Sequence, residues 1–416
     1  MTQAVDFLLV GAGELLTLQP ESGEGPLGII RGGAVGALDG QLVWVGRTAD
    51  VRKAIWLIPG GRELDARGLV VMPGFVDSHT HLCFAGFRER EFARRAAGAS
   101  YQEIAASGGG ILATVEATRD ATADELVALG HRRLDLCLQH GTTTVEIKSG
   151  YGLTTADEVK MLEAIQTLAR SHPMRVHPTF CGAHEVPPEY RGNTPGYVDL
   201  VVNEMLPEVA RRGLARSIDV FCEAGVFSVE QARRILVAGR ELGLRAKIHA
   251  DEFVSTGGAE LAASVGALSA DHLLAASLDG IRAMAGAGVT ATLLPGTAFF
   301  LGLPYAPARA FLETGVELAL ATDFNPGSSY TPNMQLMLTL ACTQMKMSVE
   351  EAIRAATVGG ARALGLKAEV GSLRAGKVCD LAVLDVPNHY HLPYLYGVNH
   401  VRTVVKGGRV AWPVED

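Results

Sequence analysis

Short apolar runs alternate with longer amphipathic stretches through the middle of this 416-residue chain. Eight of the runs have the length and composition of buried β-strands. They cover residues 75–81, 142–148, 175–184, 218–223, 245–251, 267–273, 289–295 and 316–323. Between them, segments such as TADEVKMLEAIQTLARS and SVEQARRILVAGRELG repeat apolar residues every three or four positions, which predicts helices. Thr155 and Ser228 are candidate N-caps for two of these helices.

The alternation predicts the fold class. Eight strands separated by helices fit an α/β protein with a (β/α)8 TIM-type barrel, whose functional residues gather at the carboxyl ends of the strands. A doubly wound open sheet is the competing architecture. The strand number and the polar residues at the strand ends favour the barrel.

The two ends of the chain have a different pattern. Strand-like runs punctuated by glycine, such as GAVGALDGQLVWVG near the start and HVRTVVKGGRVAW near the end, predict small antiparallel β elements. Neither end is long enough to bury a good core alone. We therefore expect residues 1–71 plus 369–416 to form one composite β-sandwich and residues 72–368 to form the catalytic barrel.

Composition excludes several classes of protein. The net charge of −8 and the lack of a Lys/Arg run argue against nucleic-acid binding. No apolar segment reaches the ~18–20 residues that span a bilayer, and the absence of a positive charge before Arg31 argues against a signal peptide. The six cysteines are dispersed and never form C-x-x-C, as is typical of reduced thiols. We expect a soluble, cytoplasmic protein.

Histidines at predicted strand ends indicate a metal site. In VMPGFVDSHTHLCFAG, His79 and His81 lie two residues apart and so face the same way on a strand. An isolated H-x-H pair is usually a surface or core feature, but His249 ends the fifth predicted strand, His272 the sixth and Asp323 the eighth. In a barrel these five side chains converge on one rim. Three imidazoles and a carboxylate suit zinc or iron(II).

The same residues suggest a hydrolytic role. A metal ion at this rim would acidify a bound water near neutral pH, and Asp323 could both ligate the ion and accept the water proton. His272 is better placed to polarise a substrate oxygen than to act as a fourth imidazole ligand. Glu252, three residues past His249 in HADEF, could carry a proton to a leaving ring nitrogen. The alternative for Glu252 is a solvated loop carboxylate.

These motifs resemble the metal-dependent amidohydrolase superfamily. The HTH motif, the later strand-end residues, VMPGFVDSHTH and the closing GSLRAGKVCDLAVLD carry that resemblance. A finer resemblance covers nearly the whole chain. The segments FAGFREREFARRAAGASYQEIAASGGGILATVEATR, TTVEIKSGYGLT, HPTFCGAHEVPPEY, KIHADEF, SADHL, LLPGTAFFLG and ATDFNPGSS closely resemble the imidazolonepropionase family.

The resemblance implies an activity and a cofactor. Members of that family hydrolyse the ring amide bond of 4-imidazolone-5-propionate to N-formimino-L-glutamate in histidine degradation. It implies one divalent metal ion per subunit, zinc or iron, bound by His79, His81, His249 and Asp323, and a homodimer. Glu223 is a possible bridging ligand for a second metal, but the HADE stretch resembles the single-metal subgroup, and we expect one ion.

The propionate arm of such a substrate requires a cation. A guanidinium holds a carboxylate through two parallel hydrogen bonds, and Arg88 lies seven residues beyond His81. The residues alone do not separate Arg88 from Arg90 or from a structural arginine. The resemblance gives the substrate-binding role to Arg88, and gives similar roles to Tyr151 in KSGYGL and His184 in CGAH.

The stretch DFNPGSS should line the rim beyond Asp323. We expect Asn325 and Ser328 to supply donors and Gly327 to allow close approach of the backbone, in addition to Glu252 as a substrate contact. Plain turn chemistry is the alternative for N-P-G-S, and both interpretations can hold together.

The sequence also departs from the family pattern. Gly359 stands near where these proteins commonly have Asn, and Tyr330 stands where Pro is frequent. The glycines at 108–110 lack the Lys-Ser/Thr of a P-loop, and we interpret them as a mobile loop over the barrel mouth. The rival functions are a purine or pyrimidine deaminase of the same superfamily and a metal-free scaffold that has lost activity.

Overall fold

The computed structural model describes residues 2–98 and 109–413. The strands are β1 (Gln3–Leu16), β2 (Ile29–Leu38), β3 (Gln41–Arg47), β4 (Ile55–Asp65), β5 (Val70–Pro73), β6 (Phe75–Asp77), β7 (Thr142–Lys148), β8 (Arg175–Ala183), β9 (Ser217–Cys222), β10 (Arg245–Ala250), β11 (Ser269–His272), β12 (Thr290–Leu293), β13 (Leu318–Leu320), β14 (Leu381–Leu384), β15 (Val401–Lys406) and β16 (Arg409–Trp412).

Helices occupy most of the connections between these strands. The α-helices are Val51–Ala54, Glu89–Ala96, Ile111–Asp120, Ala123–Gln139, Thr155–Ser171, Thr194–Leu200, Leu206–Arg211, Val229–Glu241, Gly258–Ser264, Leu278–Ala287, Pro295–Leu301, Ala308–Thr314, Met334–Gln344, Val349–Arg354, Gly360–Ala363 and His391–Tyr394. Two π-helical turns, Val201–Met205 and Ala355–Gly359, join neighbouring helices. The described ranges also contain three short 3-10 turns: Pro20–Ser22, Thr48–Asp50 and Pro188–Tyr190. Among the described residues no helix is both long and apolar enough to cross a membrane.

Strands β6 to β13 form the predicted barrel. They pair in chain order and every pair is parallel. The first and eighth strands meet just beyond their carboxyl ends, where the amide of Asp323 donates to the His79 carbonyl at 3.1 Å and the amide of His81 donates to the Phe324 carbonyl at 3.1 Å. These bonds close the barrel, so the barrel prediction is confirmed and the open sheet is wrong. The residues that close it are those expected to bind the metal.

Most predicted elements are present with shifted limits. Strand 142–148 is observed as predicted, but β6 ends at Asp77 and β13 at Leu320, short of the predicted ends at 81 and 323. Ser228 caps its helix through a capping box with Gln231. The cap of helix Thr155–Ser171 is Thr154, whose side chain accepts from the Asp157 amide, so the assignment to Thr155 is wrong by one residue.

Both chain ends contribute to one separate sheet, as predicted. Its order is β16-β15-β14-β5-β1-β2-β3, with β4 pairing β1. β5 joins the two ends because it pairs with β1 in parallel and with β14 in antiparallel orientation. The sheet is therefore mixed, and the expectation of purely antiparallel elements is wrong. The division at residues 71/72 and 368/369 stays a proposal, with β5 across the first limit.

Cysteines fit the expected environment. Five of the six are buried, Cys342 is half-buried, and none forms a disulfide. Burial raises the pKa of Cys83 to about 12, so this thiol stays protonated and unreactive at neutral pH.

A pair of glycines packs against the seam of the barrel. A Cβ at Gly359 would lie 1.9 Å from the Leu318 carbonyl oxygen of β13, and one at Gly360 would lie 2.2 Å from the Val76 carbonyl oxygen of β6. Both contacts are with backbone atoms, which cannot rotate away. Glycine at these two positions thus allows the π-helical turn and the start of the following helix to pack directly on the strands that close the barrel.

This packing predicts opposite effects for two Gly→Ala substitutions. Gly359→Ala should destabilise the protein by about 2–3 kcal/mol because the methyl group overpacks the seam. Gly286→Ala should stabilise it by roughly 0.5–1 kcal/mol, since Gly286 is an exposed position of helix Leu278–Ala287 with nothing within 4 Å of its Cβ position. Urea unfolding of both variants measures the difference. Equal stabilities of the two variants would contradict the close contact at the seam.

Candidate active site

A cavity of about 580 Å³ opens at the carboxyl ends of the barrel strands. It brings together nearly all the residues selected from the sequence. Those lining it are His81, Arg88, Tyr151, His184, His249, Glu252, His272, Asp323, Asn325, Gly327 and Ser328. His79 lies directly behind His81 and is fully buried.

Three imidazoles converge at the floor of this cavity. Nε2 of His81 lies 3.3 Å from Nε2 of His79 and 3.2 Å from Nε2 of His249. Oδ1 of Asp323 lies 3.7 Å from Nε2 of His79 and 3.8 Å from Nε2 of His81. Four potential ligand atoms therefore face a common point among buried side chains.

Two aspartates set the orientation of these imidazoles. Nδ1 of His79 lies 2.7 Å from Oδ2 of Asp271, and Nδ1 of His249 lies 2.8 Å from Oδ1 of Asp219. Each carboxylate accepts a hydrogen bond from Nδ1–H of its imidazole, which leaves the Nε2 lone pair of each ring pointing at the common point. Burial and nearby positive charge lower the pKa of His79 well below its ordinary value. The ring is neutral, as a metal ligand must be.

Asp323 has one occupied and one free oxygen. Its Oδ2 accepts hydrogen bonds from the hydroxyls of Thr297 at 2.6 Å and Ser328 at 2.8 Å. Its Oδ1 is buried and has no hydrogen-bond partner. Burial raises the pKa of this carboxyl to about 6, although both hydroxyls oppose the shift. An orphaned carboxylate oxygen facing three imidazole lone pairs fits a divalent ion, and the N3O donor set is of the type that zinc or iron(II) accepts.

His272 and Glu252 lie together beside this cluster. Nδ1 of His272 is 3.5 Å from Oε1 of Glu252, and the rings of His272 and His249 have centroids 5.3 Å apart. Burial, reinforced by the charges of Asp323 and Glu223, raises the pKa of Glu252 well above its ordinary value. A buried carboxyl that retains its proton is suited to donate it. The solvated-loop alternative for Glu252 is wrong, since its exposed fraction is 7%.

Left-handed backbone geometry directs several of these side chains. Asp251, His272 and Asp323 have φ values of +49°, +76° and +49°. Such conformations are uncommon for residues other than glycine and concentrate at functional sites. At His272 the consequence is visible, because Asp271 and His272 are consecutive yet both reach the barrel interior. Strand alternation alone would send them to opposite faces.

Asp251 holds the turn that carries Glu252. Its Oδ1 accepts from the amides of Thr256, Gly257 and Gly258 at 2.8–3.2 Å and from the Thr256 hydroxyl at 3.1 Å. Its Oδ2 accepts from the amide of Ala259 at 3.0 Å. This single carboxylate therefore shapes the connection from β10 to the next helix.

Glu223 supports the same turn. Its Oε1 accepts from the Ala224 amide at 2.8 Å and its Oε2 from the Phe253 amide at 2.9 Å. Both oxygens are engaged by backbone, and Phe253 follows Glu252 directly. Glu223 is thus a support of the Glu252 turn, which offers a structural role in place of a bridging metal ligand.

Arg88 is distinguished from Arg90 by position. Arg88 lines the cavity, whereas Arg90 is exposed and does not line it. Glu91 pairs with Arg88 through Oε2, which lies 2.9 Å from Nε and 2.8 Å from Nη2. One edge of the guanidinium is therefore occupied, and the Nη1–Nη2 edge is left for a ligand. A Cβ at Gly327 would lie 2.0 Å from Nη1, so glycine makes room for this arginine.

The remaining predicted contacts surround the same space. The His184 ring stacks on His81 with centroids 4.6 Å apart and an interplanar angle of 14°, and the Tyr151 ring lies 5.8 Å from His81. Burial lowers the pKa of His184 to about 3, so it too is neutral. Asn325 accepts from the Gly327 amide at 2.9 Å, which confirms the turn chemistry of this stretch.

The loop prediction at residues 108–110 is only partly covered. Gly108 lies outside the described residues. Gly110 has a φ of +84°, and its amide donates to Oε1 of Glu91 at 2.9 Å. Glu91 thus links this glycine to the arginine of the cavity.

Sequence reasoning missed a layer of charged side chains beneath the imidazoles. All are fully buried inside the barrel: Glu146, Lys148, Asp219, Lys247 and Asp271. The signal was present in the strands, because charged residues interrupt otherwise apolar runs, as in TTTVEIK and RAKIHA. Burial alone lowers the pKa of Lys148, but the charges of Asp219, Glu146 and Asp271 outweigh it and raise the pKa above its ordinary value, so the ammonium is charged.

Known proteins resemble the chain at several levels. The model of the amidohydrolase family matches residues 70–411. An imidazolonepropionase from Symbiobacterium thermophilum is 54% identical over 412 residues, which cover 98% of this chain and 97% of that protein. One from Geobacillus kaustophilus is 52% identical over 385 residues, covering 92% and 91% of the two chains.

Solved structures extend the likeness to the fold. The crystal structure of an adenosine deaminase from Xanthomonas campestris with bound zinc superimposes with a TM-score of 0.74, covering 99% of this chain and 93% of that one. Its sequence identity is 20%. At that identity the likeness establishes the architecture alone.

The hydrogen bonds of Asp251 predict a large effect from a small substitution. Asp251→Asn should destabilise the protein by on the order of 2 kcal/mol or more. Both carboxylate oxygens of Asp251 accept hydrogen bonds, whereas asparagine has a single side-chain oxygen, and its NH2 group would face a backbone N–H donor. Asparagine tolerates the left-handed conformation, so the backbone preference is kept. Urea unfolding provides the measurement.

The matched control is Asp279→Asn, at an aspartate whose side chain is 85% exposed and pairs with Arg282. It should change stability by less than about 0.5 kcal/mol. Similar effects of the two substitutions would rule out a special role for the buried carboxylate.

Proposed function

The chain belongs to the amidohydrolase family and, within it, to the imidazolonepropionases, and we propose on that premise that it opens the ring of 4-imidazolone-5-propionate to give N-formimino-L-glutamate. It is a hydrolase of C–N bonds in cyclic amides. The observation that carries the proposal is the pairing, in one cavity, of Arg88 with the converging imidazoles and Asp323. A carboxylate anchor beside a hydrolytic centre suits an acidic substrate better than a neutral purine or pyrimidine.

We propose one divalent ion per subunit, zinc or iron, held by His79, His81, His249 and Asp323. The three Nε2 atoms and the unpartnered Oδ1 of Asp323 support this set. When bound, such an ion supplies Lewis acidity, which acidifies water and polarises a carbonyl oxygen at neutral pH. A count of one is supported by Glu223, whose two oxygens already accept backbone amides.

The substrate is held by its carboxylate and its ring. Arg88 offers the Nη1–Nη2 edge to the propionate arm, with Glu91 fixing the opposite edge. Tyr151 and His184 flank the ring against His81. The rim segment of Asn325, Gly327 and Ser328 provides polar groups and, at the glycine, room for the guanidinium.

Three side chains manage protons and charge. Asp323, with its pKa raised to about 6, is poised to accept a proton from water near neutrality. Glu252, kept protonated by burial, donates to the ring nitrogen as the C–N bond breaks. His272, 3.5 Å from Glu252, stabilises the developing negative charge on the carbonyl oxygen. The homodimer, the cytoplasmic location and the place in histidine degradation stay predictions from the sequence.

The decisive experiment uses purified protein that retains its metal. Freshly generated 4-imidazolone-5-propionate is added, and its ultraviolet absorbance is followed against a chelator-stripped control. Metal-dependent loss without ammonia release is the expected result. Ammonia release from guanine or cytosine, with no loss of the imidazolone, would favour a deaminase. Absence of both bound metal and turnover would favour the inactive scaffold.

The carboxylate anchor predicts a binding defect in one arginine variant. Arg88→Ala should raise KM about 10- to 100-fold, because hydrogen bonds to charged groups contribute about 1.5–3 kcal/mol. The kcat should change much less, since the propionate does not react. Steady-state kinetics with the propionate substrate makes the measurement.

Arg90→Ala, at an exposed arginine two residues away, is the control and should leave KM unchanged. Gly327→Ala should raise KM in the same direction as Arg88→Ala by displacing the guanidinium. An unchanged KM in Arg88→Ala would refute the anchor.

The proton-donor role predicts a turnover defect at Glu252. Glu252→Gln should lower kcat by about 10²–10⁴-fold with little change in KM, since the amide keeps the shape but has no acidic proton. Because an acid must be protonated to act, the wild-type kcat should fall as pH rises through the raised pKa of Glu252, and the variant should lose that alkaline limb.

Glu185→Gln is the control at the same cavity, where the Glu185 carboxylate accepts from the Val186 amide at 2.8 Å. Its pH profile should match that of the wild type. Near-normal turnover by Glu252→Gln would show that another group supplies the proton.

A further inference from the structure

Two lysines lie buried inside the barrel, directly beneath the imidazole cluster. Lys148 on β7 and Lys247 on β10 both have 0% exposed surface. A lysine is almost never fully buried unless it is paired, because a bare ammonium in the interior is strongly unfavourable. The groups that pair with these two lysines therefore indicate the role of each lysine.

Lys148 connects the two aspartates that hold the imidazoles. Its Nζ lies 2.5 Å from Oδ2 of Asp219 and 3.6 Å from Oδ2 of Asp271. The same two carboxylates accept hydrogen bonds from the imidazoles: Asp219 from Nδ1 of His249 and Asp271 from Nδ1 of His79. The ammonium also lies 2.9 Å from Oε2 of Glu146.

Lys247 reaches only one half of this arrangement. Its Nζ lies 3.5 Å from Oδ2 of Asp271 and 3.6 Å from Oε2 of Glu146, and it donates to the hydroxyl of Ser269 at 2.7 Å. It makes no contact with Asp219 among the described residues. The two lysines are therefore unequal: Lys148 acts on both aspartates and Lys247 on one.

We propose that Lys148 is a positioning residue for the metal site, because it fixes Asp219 and Asp271 together and through them aims Nε2 of both His249 and His79 at one point. The inference rests on the proposed metal ligands and adds a residue whose ammonium pairs with Asp219, Glu146 and Asp271 and not with the ligands themselves. The proposal is based on geometry: the carboxylate of each aspartate contacts both an imidazole and the Lys148 ammonium, so that one ammonium is common to the two aspartates.

The charges of the layer explain why removal of Lys148 should be felt at the histidines. Three carboxylates face two ammonium groups inside the barrel, so the layer has one excess negative charge. Without Lys148 the excess rises to two, and Asp219 loses the partner of its Oδ2. A carboxylate freed on one side can turn, and the imidazole bound to its other side turns with it. Changes in residues that hold ligating histidines typically weaken metal binding about 10- to 100-fold.

The test measures metal affinity separately from stability. Metal-free wild type and Lys148→Met are titrated with zinc in competition with a chromophoric chelator, and urea unfolding of the metal-free proteins gives their stability. Lys148→Met should bind zinc about 10- to 100-fold more weakly. Lys247→Met should show a smaller loss, since it frees only Asp271. A Lys148→Met affinity within threefold of wild type would overturn the proposal.

Lys377→Met controls for the loss of a buried lysine elsewhere. Lys377 donates to the carbonyls of Lys367 and Val370 and to the hydroxyl of Ser372, in the region near the terminal sheet. Its removal should lower stability and leave zinc affinity within twofold of wild type. If this variant lost zinc affinity as strongly as Lys148→Met, general destabilisation would be the cause, and the proposal would be wrong.

A double variant separates connection from charge and protects against misfolding. Glu146→Gln with Lys148→Met keeps the layer at one excess negative charge while the link between Asp219 and Asp271 stays broken. Zinc affinity should remain low in this variant, and recovery to the wild-type value would overturn the proposal. If wild type itself failed to bind zinc or iron, the proposed metal site would be refuted instead.

Discussion

The hydrogen bonds between buried carboxylates and imidazole Nδ1 atoms are the interaction on which the site depends. Asp271 holds His79 at 2.7 Å and Asp219 holds His249 at 2.8 Å. These bonds choose the tautomer, the orientation and the exposed lone pair of each ring. They are possible because the barrel interior, usually a packed apolar core, here contains carboxylates paired with two buried ammonium groups. The imidazole cluster at the barrel mouth therefore depends on the buried charged side chains inside the barrel.

The substrate side of the cavity follows a different logic. Arg88 is not an isolated cation, because Glu91 neutralises it and occupies one edge of the guanidinium. The acidic partner fixes a long side chain that would otherwise sample many rotamers. Gly327 then determines how close the rim can come to it. Binding and hydrolysis are thus prepared by separate groups of residues, one on a helix start and one on the strand ends.

Sequence periodicity was sufficient for the elements and for much of the site. The run at 142–148 and the helix at 155–171 appear as predicted, and the spacing of His79 and His81 correctly placed two rings side by side. Periodicity does not predict which distant strands pair. Nothing in the sequence shows that β1 lies parallel to β5, the strand that joins the two termini.

Conformation and burial hid the rest of the site. Strand alternation could not place both Asp271 and His272 in the barrel, because the φ of +76° at His272 overrides it. Lys148 and Lys247 were missed because charged residues within strands are usually taken for solvent-facing positions. Arg88 and Arg90 could not be distinguished by spacing alone. The path of the chain after His81 places Arg88, and not Arg90, at the cavity.

The closure of the barrel has a consequence for how such proteins diversify. The backbone bonds that join the first strand to the last involve His79, His81 and Asp323, three of the residues that we propose as metal ligands. Mutation of this segment therefore meets selection for folding and for chemistry at once, which leaves it little freedom to drift. The helix Glu89–Ala96, which carries the Glu91 partner of Arg88, lies outside the closure, so changes there can alter the proposed substrate anchor without disturbing the bonds that join the strands. Evolution can thus exchange the substrate of such a barrel while inheriting its reaction centre intact.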